Sequence, residues 1–277
     1  MTIAITGATG RLGRLTIMAL KARGVTPVAL TRSPEKAADL EVEVRHFDYA
    51  APNAAALRGV GTLVLISSSD FNDRVGQHRN VIAAAKAAGV GHVIYTSVLK
   101  GARSPMLLAA DHAATESAIM ESGLAHTILR NGWYTENFTA SLGAALAYGA
   151  MAGALGEGLV ATAARADYAE AIAVVALAPA HQGKVHELAG DQAYRMSDMA
   201  AEVSRLTGKA IGYASLPEAD YAGMLMGHGL PEGFARVLAD SDAKAAKGAL
   251  FDDSRTLSRL IGRPTTPMAE TVKAALA

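Results

Sequence analysis

The residues most able to do chemistry stand near the amino terminus. Gly7-Ala8-Thr9-Gly10-Arg11-Leu12-Gly13 follows a short apolar run at 2–6 and precedes a helical pattern. In this G-x-x-G-x-x-G spacing the glycines let the chain turn sharply and bring backbone N–H groups close to a pyrophosphate. The helix that follows adds the partial positive charge of its N-terminus. No Lys follows Gly13, so the turn does not read as a triphosphate-binding P-loop.

The second candidate is Arg32. An NAD site places an acid at the end of the second strand to bond the ribose 2′-OH. Residues 29–32 hold no acid here, and Leu30-Thr31-Arg32 ends in a guanidinium, with Lys36 one helical turn further on. A guanidinium grips a 2′-phosphate bidentately, so NADP(H) is the expected cofactor. Glu35 reads as an acid in the first turn of a helix, and Arg11 adds positive charge near the phosphates.

Elsewhere the candidates are polar groups at strand ends. Ser67, Ser68 and Ser69 follow a strand, where hydroxyls meet ribose or phosphate oxygens or simply form a polar turn. His112 opens a helix. It reads as a hydrogen-bond or proton donor to the reacting groups, or as a cap-region histidine with Asp111 and Glu116 to neutralise it. Asn131 and Trp133 follow a later strand; the Trp ring suits stacking on a flat substrate or burial in a core. His46-x-Asp48 and His112-x-x-x-Glu116 lack a third ligand nearby, so no metal site is expected. There is no G-x-S-x-G elbow for a hydrolase. None of the 8 tyrosines has Lys four residues later, so the Tyr/Lys pair that protonates a simple carbonyl is absent.

These residues need a frame, and the first half supplies one. Apolar strands are expected at 2–6, 26–31, 43–47, 62–66, 92–97 and 125–130. Helices lie between them, one with Leu12, Leu15, Ala19 and Ala22 on its inner face, others at 77–88 and 111–122. A helix start is expected at Ser33-Pro34-Glu35, and Phe71-Asn72-Asp73-Arg74 reads as a mobile loop. Strand–helix repetition implies a parallel sheet covered on both faces, an α/β Rossmann-type doubly wound fold. After about residue 150 helical patterns dominate, at 167–178, 197–207, 217–226 and 231–246, with short strands at 184–188 and 211–213. The expected division is a dinucleotide-binding domain over 1–150 and a smaller, mainly helical domain over 151–277, with some segments returning to the first.

Composition bounds the rest. The 277 residues are 51% hydrophobic and 19% charged, with 26 basic and 26 acidic residues and no cysteine. That is a globular chain with no basic excess to draw nucleic acid or an anionic membrane, and with no thiol chemistry. The uncharged stretch 138–156 is rich in Ala and Gly and reads as a small-residue helix and turn, not a membrane span.

Several segments together resemble the NmrA-like group of atypical short-chain dehydrogenases. They are the TGATG-x-LG turn, the basic residue after strand two, Ile66-Ser67-Ser68-Ser69, Tyr95-Thr96-Ser97 and Leu129-Arg130-Asn131-Gly132-Trp133-Tyr134. The likeness extends to Glu187-Leu188-Ala189-Gly190 and Leu250-Phe251-Asp252-Asp253-Ser254, so it spans the whole chain. Within the group the chain is most similar to NADPH-dependent quinone reductases, with triphenylmethane-dye reductases near. The resemblance implies a cleft between the Rossmann domain and the small domain for the nicotinamide and an aromatic substrate. Thr96 and Asn131 are expected among the cofactor contacts, and Trp133, Asn137 and Phe138 along the cleft wall at the acceptor. It implies cytoplasmic hydride transfer from NADPH to a quinone or another flat aromatic, without flavin or metal. The group also includes NADP(H)-binding regulators, which leaves a sensor without turnover as the alternative. A quinone fits the missing Tyr/Lys pair, because its reduced form is a stabilised phenolate that water can protonate.

Overall fold

The computed structural model describes residues 2–277. In chain order the first elements are β1 (Thr2–Ile5), α1 (Arg11–Lys21), β2 (Val28–Thr31), β3 (Val44–His46), β4 (Val60–Leu65), α2 (Arg74–Ala87), β5 (His92–Val98), α3 (Ala109–Ser122) and β6 (Ala125–Asn131). Then come α4 (Thr135–Thr139), α5 (Leu142–Tyr148), β7 (Ala150–Gly153), α6 (Arg165–Leu177) and β8 (Val185–Leu188). The chain ends with α7 (Met196–Thr207), β9 (Gly212–Ser215), α8 (Glu218–Gly227), α9 (Glu232–Ala245), α10 (Thr256–Ile261) and α11 (Met268–Leu276).

Seven strands form one sheet in the order β3-β2-β1-β4-β5-β6-β8. β1 to β6 pair in parallel, the Rossmann-type arrangement that the strand–helix alternation predicts. The central strands carry apolar runs because helices cover both faces; every residue of β5 is buried, including its polar His92, Thr96 and Ser97. Leu30, Leu63, Leu65, Val93 and Tyr95 share one core with Val81 and Ala85 of α2. Strand order reverses between β1 and β4, and a sheet of this kind binds ligands beyond the strand ends at such a point.

The chain falls into two compact units. Unit 1 holds Met1–Gly101, Asp111–Asn131 and Arg165–His186; unit 2 holds Ala102–Ala110, Gly132–Ala164 and Glu187–Ala277. Residue 150 lies inside unit 2. The helix and strand expected at 167–178 and 184–188 form α6 and β8; α6 packs on α1 and β8 extends the large sheet beside β6. In unit 2, β7 and β9 make a parallel two-stranded ribbon, and the stretch 138–156 breaks into the end of α4, α5 and β7. Among the described residues no helix is long and apolar enough to cross a membrane.

Three local expectations change. The buried face of α1 is Leu12, Gly13, Thr16, Ile17 and Leu20, not a stripe through Leu15, Ala19 and Ala22. Packing at Gly13, which has no side chain to hold the helix off, sets that rotation. Ser33 makes no side-chain cap, and a 3-10 helix, Pro34–Leu40, follows it. Arg74 is the first residue of α2 and is buried, so Phe71 to Arg74 is not simply a loose loop.

Candidate functional site

The glycine turn is built so that side chains are kept out of it. Gly7 has φ +58°, the left-handed region. A Cβ on Gly13 would stand 2.3 Å from Gly7 O and 2.8 Å from Ala8 Cα, so only glycine lets α1 begin against this turn. The Gly10 N–H donates to Gly7 O (2.9 Å) and the Ala8 N–H to Leu30 O (3.3 Å). Gly10 is the N-cap of α1 and gives it no side-chain cap. The first-turn N–H groups therefore have neither an intrahelical acceptor nor a side-chain one, which is the donor set a pyrophosphate needs. Below the turn, the Tyr49 hydroxyl lies 2.5 Å from Thr6 Oγ1 and 2.8 Å from Ile66 O. Burial pushes its pKa well above the usual phenol range, so Tyr49 stays a neutral clip between the ends of β1 and β4. Sequence reasoning missed it.

At the end of β2, Thr9 Oγ1 and Thr31 Oγ1 are 3.3 Å apart and tie the turn to the strand. Arg14, also unforeseen, donates to Thr9 O (3.2 Å), to Lys36 O (2.5 Å) and to Asp39 (2.6 Å). That guanidinium is fully committed. Arg32 is exposed and among the described residues forms no hydrogen bond or ion pair, so its fork is available to a phosphate. Arg11 is likewise exposed.

Beyond β4 the serine segment is held by buried groups. The Ser67 N–H donates to Thr96 Oγ1 (2.9 Å), while Ser67 Oγ is buried with no hydrogen-bond partner. The Ser68 N–H donates to His78 Nε2 (2.8 Å). The proton of His78 therefore sits on Nδ1, which faces Thr115 Oγ1 at 2.9 Å; Thr115 in turn donates to Asp111 O (2.9 Å). Burial, with help from nearby Arg74, pushes the His78 pKa down to about 3, which keeps Nε2 an acceptor. Arg74 donates to Ser68 O (2.8 Å), pairs with Asp111 (3.2 Å) and lies 4.3 Å over the Phe71 ring. Ser69 is exposed.

His112 is buried, with Nδ1 2.8 Å from the Tyr95 hydroxyl. Neither expected acid neutralises it: Asp111 pairs with Arg74, and Glu116 takes Arg130 in a two-point pair at 3.0 and 2.7 Å. Burial first, then the charge of Arg74, pushes the His112 pKa down to about 3. The ring is neutral at pH 7, and with Nδ1 taken, Nε2 is the nitrogen left for a ligand. Ser97 donates to Glu116 (2.5 Å) and belongs to this buried network. The glycine turn, Thr96, His112 and Asn131 all stand in unit 1 near the carboxyl ends of its strands. Trp133, Asn137 and Phe138 belong to unit 2, around the start of α4. Among the described residues no group of three or more His, Cys, Asp or Glu could hold a metal ion.

Compared with known proteins, residues 7–179 match the NAD(P)H-binding family. The chain is 51% identical to quinone oxidoreductase 2 of Escherichia coli (strain K12), over 98% of this chain and 97% of that protein. It superposes with a TM-score of 0.95, at 50% identity and over the full length of both, on the crystal structure of an Escherichia coli NADPH-dependent quinone oxidoreductase complexed with NADPH. Triphenylmethane reductase of Citrobacter sp., complexed with NADP(H), gives a TM-score of 0.91 at 35% identity, over 99% of this chain and 100% of that one.

Proposed function

The chain belongs to the NAD(P)H-binding family, and from that premise we propose that it is an NADPH-dependent reductase whose acceptor is a quinone. The observation that carries this is the 51% identity, end to end, with quinone oxidoreductase 2. The geometry agrees at the cofactor end: an uncapped helix start beside a glycine turn and, past β2, an uncommitted Arg32.

When bound, NADPH supplies the hydride. The first-turn N–H groups of α1, with Gly7, Ala8, Thr9, Gly10, Arg11, Leu12 and Gly13, hold the pyrophosphate. Arg32 takes the 2′-phosphate. Ser67, Ser68, Ser69, Thr96 and Asn131 line the ribose and nicotinamide side. His112 acts as a neutral hydrogen-bonding group through Nε2; with its pKa near 3 it stores no proton at pH 7. Trp133, Asn137 and Phe138 are the proposed acceptor contacts. One hydride and one solvent proton convert the quinone to its hydroquinone, so no side chain has to act as a strong acid. The setting proposed is the cytoplasm.

A cationic triphenylmethane dye is the second acceptor to test, because the chain matches triphenylmethane reductase along nearly its whole length. The test is NADPH and NADH oxidation by the purified, flavin-free protein, with benzoquinone, with a dye, and with neither. Quinone-dependent NADPH loss well above both background and the NADH rate is expected. Tight NADPH binding with no turnover on either acceptor would overturn the enzyme reading in favour of a sensor.

A further inference from the structure

A cavity of about 360 Å³ opens at the amino ends of the large sheet's inner strands β1 and β5, away from the glycine turn. Ile3 of β1, Val25, and Val175, Ala176 and Leu177 at the end of α6 give it apolar walls; His92 and Gln182 are its polar lining. Ile3 and Gly7 are four residues apart along an extended strand, which puts ~13 Å between this cavity and the turn. Ligands of open α/β sheets bind at the carboxyl ends of the strands, so the cofactor does not account for a cavity at their amino ends.

Its polar lining group has a fixed chemistry. His92, at the start of β5, is 3% exposed. Its Nε2 lies 2.9 Å from Thr127 Oγ1, and Thr127 gives its single hydroxyl proton to His181 O at 2.8 Å. The proton between His92 and Thr127 therefore comes from Nε2, and Nδ1 carries a bare lone pair. Among the described residues Nδ1 has no partner. Burial lowers the His92 pKa below its ordinary value, which keeps the ring neutral and Nδ1 an acceptor.

We propose that this cavity is a second binding site, for a phenol, whose ring lies against Ile3, Val25, Val175 and Leu177 and whose hydroxyl donates to His92 Nδ1. The chemistry selects that class. A carboxylate would meet a lone pair and no cation. An ammonium would leave charge against apolar walls. A hydroxyl on a flat apolar ring satisfies the unpartnered acceptor and covers the walls, and the volume is in the range of small-molecule pockets.

The test is a fluorine-NMR titration of the full chain, saturated with NADPH, with 4-fluorophenol and with fluorobenzene. Saturable 4-fluorophenol binding is expected, with fluorobenzene about fivefold weaker for want of the hydrogen bond. Val25→Phe, at a half-buried position, fills the cavity and should weaken 4-fluorophenol at least ~10-fold, with NADPH affinity and melting temperature unchanged. If Val25→Phe does not fold, Ala176→Leu makes the same test from the opposite wall. Equal affinity for the two probes, undiminished phenol binding in the filled variant, or no saturable binding would each overturn the proposal.

Discussion

Replacing Arg32 with Ala isolates the 2′-phosphate interaction. The side chain is exposed and among the described residues makes no hydrogen bond or ion pair, so its loss should not disturb folding. Arg14 cannot replace it, because its guanidinium is spent on Thr9, Lys36 and Asp39. A hydrogen bond to a charged group contributes ~1.5–3 kcal/mol, and exposure puts this one at the lower end. About 1.5–2 kcal/mol corresponds to a ~10–30-fold weaker NADPH complex. NADH has no 2′-phosphate, so its affinity should change less than ~2-fold on the same reasoning. Arg32→Lys keeps the charge and loses the two-pronged geometry, and should fall between wild type and Arg32→Ala. The assay is direct titration of NADPH and NADH followed by nicotinamide fluorescence, at two ionic strengths. The NADPH advantage should shrink in higher salt in wild type and change little in Arg32→Ala. Equal losses for both nucleotides would refute the assignment.

Gly13→Ala places a Cβ 2.3 Å from Gly7 O; it should cost ~1–3 kcal/mol of stability and cut NADPH affinity more than NADPH-independent properties, checked by denaturant melts and titration. His112→Ala should slow quinone reduction about 10-fold, the worth of one charge-supporting hydrogen bond, with the NADPH complex retained; an unchanged rate would make the residue purely structural. The pKa of His78 in the fold, about 3, lies below the ordinary 6.5, so below pH 6.5 the unfolded chain binds a proton the folded chain refuses. Its contribution is complete above pH 6.5 and is lost as pH falls toward 3, at up to ~1.4 kcal/mol per pH unit. His78→Gln should flatten the stability profile by about that slope between roughly pH 6 and 4 in urea melts. Asp242 has the opposite sign. It is buried, accepts from the Ala154 N–H at 3.1 Å, and burial pushes its pKa up to about 7. The fold therefore loses stability as pH rises from about 4 through 7, and Asp242→Asn should raise the melting temperature at pH 8 and leave it nearly unchanged at pH 4.

Periodicity along the chain was enough to place the sheet strands β1 to β6 and most helices, because strands covered on both faces carry apolar runs such as Leu63 to Leu65 and Val93-Ile94. The glycine turn was legible for a similar reason: close approach of a helix to a backbone admits no side chain, and the requirement is written as residue type. Arg32 was legible through the absence of an acid beside it. Three kinds of fact were not. The rotation of α1 depends on what it packs against, and spacing alone selected the wrong stripe. Which segments return to the first unit, α6 and the start of β8, is a matter of which distant surface they cover, and nothing local in 165–188 states it. The state of each polar residue depends on partners far along the chain. Arg14 and Arg32 are the same residue type, yet one is consumed by Asp39 and the other makes no hydrogen bond or ion pair among the described residues. His112, read from sequence beside Asp111 and Glu116, turns instead to Tyr95, while both acids pair with arginines. Residue types and their spacing thus determined the fold class and the cofactor's chemistry, which rest on local backbone and burial requirements. Tertiary structure alone decided which side chains keep a free hydrogen-bonding atom, because that is settled by long-range pairing and burial.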